Sequence, residues 1–291
     1  MMSGDKPEDE RGRAAGYGEG GIAPAMSVGD VAREAEALGA HVARDEILAL
    51  AGGAPLLELQ ALHAGYGAME ILHGVDLAVG AGQSLCIVGP NGAGKSTVLH
   101  SIFGFTKITG GCVVAGGRDV TALSPSDKLR DAKIAYILQD NSIFPDMTVE
   151  ENLLMGGYLL NDRRETRAAT EKVLAQYDRL AKRRRERSGV LSGGERRLLE
   201  ISRALIMDPD VLLVDEPSIG LEPRMIDMVF EILTDLRDVH GKTIVMVEQN
   251  AKRGLEFADI GYVMVAGRVA LAAAGKELLE NPQVGRLFLG G

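Results

Sequence analysis

Three short apolar runs, "SLCIVG", "DVLLVDE" and "KTIVMVEQ", constrain the fold of this chain more than any other feature in it. Each has the length of a single strand and ends on polar chemistry, and helical patterns lie between them. Strands that alternate with helices specify a parallel α/β sheet, and such sheets bind ligands beyond the carboxyl ends of their strands. Three runs that all deliver reactive groups to one edge therefore predict a common site there. "LLELQALHAGYG" and "EILHGVDLAVGAGQ" read as paired strands with Gly turns, and "GGCVVAGGRDV" as a further strand. Residues 148–187 are rich in helical pattern and read as an insertion between the first core strands and the later ones.

The chain has 291 residues, 46% hydrophobic and 25% charged, enough for one large domain with a real core plus an appendage. A net charge of −9 argues against a general nucleic-acid binder. No apolar run approaches the roughly 20 residues that span a bilayer, and the polar, acidic start has no apolar core of a secretory signal. These features predict a soluble cytosolic protein. Cys86 and Cys112 lie in strand-like runs without ligand spacing and are expected to be buried thiols. Residues 1–26 are rich in Gly and charge and read as disordered. Residues 27–50 suggest one or two helices broken near Gly39, either docked or loosely held, and "AGGAP" reads as a linker.

The turn after the first run, "GPNGAGKST", matches G-x-x-x-x-G-K-[ST] with a strand before it and a helix after it. In such a turn Gly89, Gly92 and Gly94 let backbone N–H groups wrap around phosphates, and Pro90, Asn91 and Ala93 complete the loop that contacts them. Lys95 neutralises β- and γ-oxygens, Ser96 completes the pattern and offers a hydroxyl to Mg²⁺, and Thr97 directly after it is counted with the same nucleotide site. "VLLVDEP" supplies Asp215 for the Mg²⁺ shell and Glu216 to orient and deprotonate the attacking water. Phosphoryl transfer needs little more than positioning, charge neutralisation and one base. Gln139, after the apolar run "IAYIL", has an amide within reach of Mg²⁺ or water. Tyr66, in "AGYGAMEI", either stacks on an adenine ring or packs.

A second Gly-rich turn opens "VLSGGERRLLEISRAL". Ser192 reads as an N-cap with Glu195 three residues on, and Leu198, Leu199, Ile201, Ser202 and Leu205 recur at helical spacing. A helix N-terminus of this kind is an anion site, because its free N–H groups and positive end point outward.

In this order the motifs resemble those of the ATP-binding-cassette (ABC) ATPases over residues 56–291. The resemblance implies a P-loop NTPase fold: a RecA-like parallel sheet, an antiparallel β subdomain and a helical subdomain at about residues 146–190, with residues 1–54 an extension ahead of the domain at 55–291. It makes Tyr66 the adenine-stacking aromatic, "GPNGAGKST" the Walker A loop, Gln139 the Q-loop residue and Mg²⁺ contact, "LSGGE" the signature, "VLLVDE" Walker B and "SIGLEP" the loop after it. ATP and Mg²⁺ are the cofactors it implies. It also explains the second turn: two such domains pack head to tail, and Ser192, Gly193 and Gly194 cap the γ-phosphate held by the other domain's P-loop. The expected partners are a second ABC ATPase, from a different chain or a second copy, two membrane permease subunits and, indirectly, a periplasmic binding protein, with no nucleic acid. That places the chain in the cytoplasm, peripheral on the inner face of the membrane. Ile143, Phe144, Pro145 and Met147 either line a groove for a permease helix or pack inside the domain.

More narrowly, "IFPDMTVEENLLMG", "DEPSIGLEP", "VEQNA" and "FLGG" are similar to the ATPase subunit of branched-chain amino acid importers, with urea and amide importers sharing much of this. ABC ATPases usually carry a His where this chain has Gln249, followed by Asn250; His240 precedes the strand and sits at the wrong end of the sheet. The loop after Walker B carries Glu222 where the family often has Asp. A Gln donates a hydrogen bond but carries neither proton nor charge, so slower hydrolysis is expected. The branched-chain subunit class commonly shows VEQN beside a His-bearing partner, which implies unequal sites. The basic run "AKRRRERSG" reads as a solvated helix end or as a patch for nucleic acid or anionic lipid; the acidic whole favours the first. A soluble ABC ATPase acting on DNA or ribosomes would usually carry long coiled coils or two fused cassettes, which this sequence lacks. Glu216 speaks against a binding-only regulatory subunit.

Overall fold

The computed structural model describes residues 42–139 and 142–288. The disorder expected for residues 1–26, the helical pattern of residues 27–41 and the last three residues of "FLGG" lie outside them. Helix α1 (Arg44–Leu50) leads into β1 (Leu57–Tyr66) and β2 (Met69–Val79), which pair antiparallel. After β3 (Ser84–Val88) and α2 (Lys95–Phe103), β4 (Lys107–Ala115) and β5 (Arg118–Asp119) complete a four-stranded sheet in the order β2-β1-β4-β5. α1 is docked on it: Ile47 is buried in the same core and Arg44 pairs with Glu58.

The chain continues through α3 (Pro125–Arg130), β6 (Ile134–Ile137), α4 (Val149–Gly156), α5 (Arg163–Gln176) and α6 (Asp178–Lys182). Next come α7 (Gly193–Leu205), β7 (Val211–Asp215), α8 (Pro223–Asp238), β8 (Thr243–Val247) and α9 (Ala251–Phe257). β9 (Ile260–Val265), β10 (Arg268–Ala274), α10 (Gly275–Glu280) and α11 (Pro282–Phe288) follow.

The second sheet runs β10-β9-β3-β8-β7-β6, parallel except where β10 meets β9. The three apolar runs are thus neighbours at its centre. Every residue of β3, β7 and β8 is buried, because both faces of the sheet are covered. Leu85, Ile87, Leu213 and Val245 face a core shared with the antiparallel sheet and α2. Cys86, Val88, Leu212 and Val214 face Val229 and Leu233 of α8 and Leu255 of α9. Each large aliphatic side chain so buried contributes about 1.5–3 kcal/mol.

The helices α4–α6 have their own core, where Val149, Leu153, Val173, Leu174 and Leu180 meet Ile143, Leu191, Leu198, Leu199 and Ile206. α7 belongs to both cores, since its Ile201 packs with the sheet. The opposite-face rule for an amphipathic helix fails here: Arg197 and Glu200 are buried with their apolar neighbours, while Leu205 is half-buried. The segment after Gln139 divides, Ile143 turning inward while Phe144 and Pro145 are exposed. Cys112 corrects the expectation of two buried thiols. It is only half-buried on β4, which pairs along β1 at the surface, and its Sγ donates to Gln60 Oε1 at 3.4 Å; Cys86 is buried. Arg183 pairs with Glu195 at 3.2 Å, and Arg184 pairs with both Glu150 and Glu171, so much of the basic run is neutralised within the chain. Among the described residues no helix is long and apolar enough to cross a membrane.

Candidate functional site

The carboxyl edge of the parallel sheet collects the chemistry. β3 ends in the 89–94 turn, where Gly89, Gly92 and Gly94 have φ of 151°, 81° and 96°. A Cβ on Gly89 would lie 2.2 Å from the Met264 carbonyl oxygen, so strand β9 packs against this turn too closely for any other residue. α2 starts at Gly94 with no side-chain cap, which leaves its first N–H groups free for an anion. Lys95 folds back over the turn, its Nζ donating to Gly89 O at 2.9 Å and Pro90 O at 3.1 Å. Burial lowers its pKa, against the pull of Glu216 and Asp215.

β7 brings Asp215 to the same edge. Its Oδ1 accepts from Ser96 Oγ at 3.1 Å and its Oδ2 from Tyr136 Oη at 2.8 Å. A hydroxyl and a carboxylate oxygen in contact at a helix N-terminus are hard donors that suit Mg²⁺, which takes one or two protein ligands and completes its shell with phosphate and water. Among the described residues there is no group of three or more His, Cys, Asp or Glu that could form an all-protein metal cage. The Ser96–Asp215 pair fits the one or two protein ligands such a cation takes.

Glu216 follows with φ of 43°, a left-handed conformation that costs a non-glycine residue about 1–3 kcal/mol and recurs at functional sites. Its amide donates to Val247 O at 2.9 Å, which ties the turn to the end of β8. Gln139 reaches it from β6, Nε2 donating to Glu216 Oε2 at 2.8 Å. Burial and then repulsion from Asp215 raise the Glu216 pKa, and Lys95 partly opposes them.

A cleft of about 510 Å³ is lined by Asn91, Gly92, Gly94, Lys95, Ser96, Thr97, Gln139, Glu216 and Gln249, with Ile71 and Ile219. Tyr66 lies outside that lining, at the exposed end of β1, where its hydroxyl bonds His100 Nδ1 of α2. Ser192, Gly193 and Gly194 do not line the cleft either. Ser192 and Glu195 form a reciprocal capping box, and Ser192 and Gly193 are exposed. His240 bonds Gln176 before β8 begins, at the opposite end of the sheet from the cleft.

Four residues at this edge escape a linear reading. Tyr136 orients Asp215, and His100 steadies Tyr66. Glu248, buried at the end of β8, accepts from Ser218 N at 3.2 Å and Gln249 N at 2.8 Å and so joins the loop after β7 to the loop after β8. A carboxylate closing an apolar run was a usable signal for Glu248, the same that marked Asp215 and Glu216. The fourth, Arg197, has no comparable signal.

Fold and cleft together define a P-loop ATPase. The chain belongs to the ABC transporter family, whose model matches residues 72–219. It is 40% identical to the high-affinity branched-chain amino acid transport ATP-binding protein BraG of Pseudomonas aeruginosa, over 78% of this chain and 96% of that one. It is 37% identical to the probable branched-chain amino acid transport ATP-binding protein LivF of Archaeoglobus fulgidus, over 81% and 99%. A crystal structure of the ADP conformation of an ABC transporter cassette superposes with a TM-score of 0.72 at 28% identity, covering 82% of this chain and all of that one. The chain is an ABC-type ATPase that binds nucleotide.

Proposed function

We propose that this chain is the ATP-hydrolysing subunit of an importer for branched-chain or other hydrophobic amino acids, carried on the inner face of the cell membrane by two permease subunits and served indirectly by a periplasmic binding protein. The observation that carries the reading is the convergence of Lys95, Ser96, Gln139, Glu216 and Gln249 on one cleft, in a chain whose relatives are named for branched-chain amino acid transport. Residues 55–291 form the ATPase domain with its helical part at 146–190, and residues 1–54 an extension.

In this reading the 89–94 turn and Lys95 hold the phosphates, and Tyr66 takes the adenine, its ring steadied by His100. Ser96, Asp215 and Gln139 would hold Mg²⁺, which when bound neutralises charge on the β- and γ-oxygens. Glu216 accepts the proton of the attacking water. Its raised pKa brings it nearer the working pH, and a positioned base is worth about 10²–10⁴-fold. Gln139 fixes the carboxylate's orientation, and Gln249 offers a hydrogen bond to the γ-phosphate without a proton to give. Ser192, Gly193 and Gly194 complete the site of a second ABC ATPase, so that ATP favours the closed pair and hydrolysis releases it.

Reconstitution with candidate permeases in vesicles loaded with ATP tests the reading. Labelled leucine enters with wild-type protein and not with Glu216→Gln. Uptake of urea instead of leucine would place the chain in the neighbouring class, and full hydrolysis by Glu216→Gln would remove the mechanism.

A further inference from the structure

The buried Arg197–Glu200 pair sits one turn into α7, the helix that begins at Ser192. Both side chains are 6% exposed and meet at 2.9 Å. The guanidinium also donates to two main-chain carbonyls, Leu138 O at 2.7 Å and Asp215 O at 3.2 Å. Those are the residues immediately before Gln139 and Glu216, whose side chains bond each other at 2.8 Å. Glu200 uses its other oxygen to accept from Ser142 N at 3.0 Å, on the far side of Gln139. Arg203 of the same helix donates to Ser142 O.

We propose that Arg197 is a positioning residue for hydrolysis: one guanidinium spaces the backbone of Gln139 against that of Glu216, and Glu200 balances its charge and holds Ser142. A planar fork with several fixed donors is suited to bridging two carbonyls, which a flexible ammonium is not. A buried pair of this kind is a poor device for stability, since apolar replacements of similar volume often cost nothing, whereas removing one partner leaves an uncompensated buried charge. Its geometry is better explained by what it aligns. Because the pair rides on the helix of the signature turn, a shift of that turn toward a second ATPase moves the catalytic carboxylate and its amide partner together.

The inference rests on Glu216 being the base, and the test separates the two. Single-turnover ATP hydrolysis and equilibrium affinity for a fluorescent ATP analogue are measured on the full chain and on Arg197→Gln, Arg197→Met/Glu200→Leu and Glu216→Gln. The double variant retains a melting temperature at or above wild type and an affinity within about twofold, while its hydrolysis rate falls about 10- to 100-fold, as misplacing a reacting group by an ångström does. Arg197→Gln shows the same split between rate and affinity. A double variant that hydrolyses ATP at the wild-type rate makes the pair mere packing and overturns the inference. Glu216→Gln with an undiminished rate overturns the reading of Glu216 instead.

Discussion

Two glycine-rich turns open two helices in this molecule, and they are built differently. The turn at 89–94 holds three glycines at positive φ, packs against β9 and starts a helix without a side-chain cap. The turn at 192–194 is capped by Ser192 and Glu195, has no positive φ, and leaves Ser192 and Gly193 exposed. Gly194 is crowded by Met225, but a Cβ on Gly193 would meet nothing nearer than Leu221 Cδ2 at 3.3 Å. The first turn is glycine-rich because its own fold demands it. At 193 an added Cβ would press only on the end of one flexible side chain, which supports the proposal that a second ATPase approaches there.

Substitutions should separate the turns. Gly89→Ala, with strain from φ and a backbone collision, destabilises the fold by about 2–4 kcal/mol, read by denaturant unfolding. Lys95→Ala leaves the melting temperature nearly unchanged but weakens ATP binding about 10- to 100-fold, because it removes a charge-assisted contact worth about 1.5–3 kcal/mol. Ser192→Ala loses a cap and costs about 1 kcal/mol of stability. Gly193→Ala changes stability by less than about 0.5 kcal/mol, yet in a Glu216→Gln background it abolishes ATP-driven association measured by sedimentation. If Gly193→Ala associates normally, the contrast between the turns is lost.

The smallest effect concerns pH. The folded-state pKa of Glu216 is raised, so the folded chain holds a proton that the unfolded chain releases. Stability therefore declines as pH rises from the ordinary carboxylate value through the raised one. The hydrolysis rate climbs over the same window, since only the ionised carboxylate accepts a proton. Glu216→Gln should be slightly more stable than wild type at neutral pH, with the difference vanishing in acid; melting curves across pH check the sign.

The sequence by itself determined the parallel sheet, because a strand covered on both faces reads as a near-continuous apolar run, as β3, β7 and β8 do apart from Ser84, Asp215 and Thr243 at their ends. It also determined the phosphate turn and the Ser192 cap, since both depend on residues within a few positions of each other. Arg197 and Glu200 of α7 are buried although both are charged, which the sequence does not announce. Their partners, Leu138, Ser142 and Asp215, lie 59, 58 and 18 residues away in the chain. Tyr136 on Asp215 and His100 on Tyr66 were hidden for the same reason. A helix pattern records which side chains are apolar; which charges find partners in the interior is decided only when distant carbonyls and amides arrive beside them.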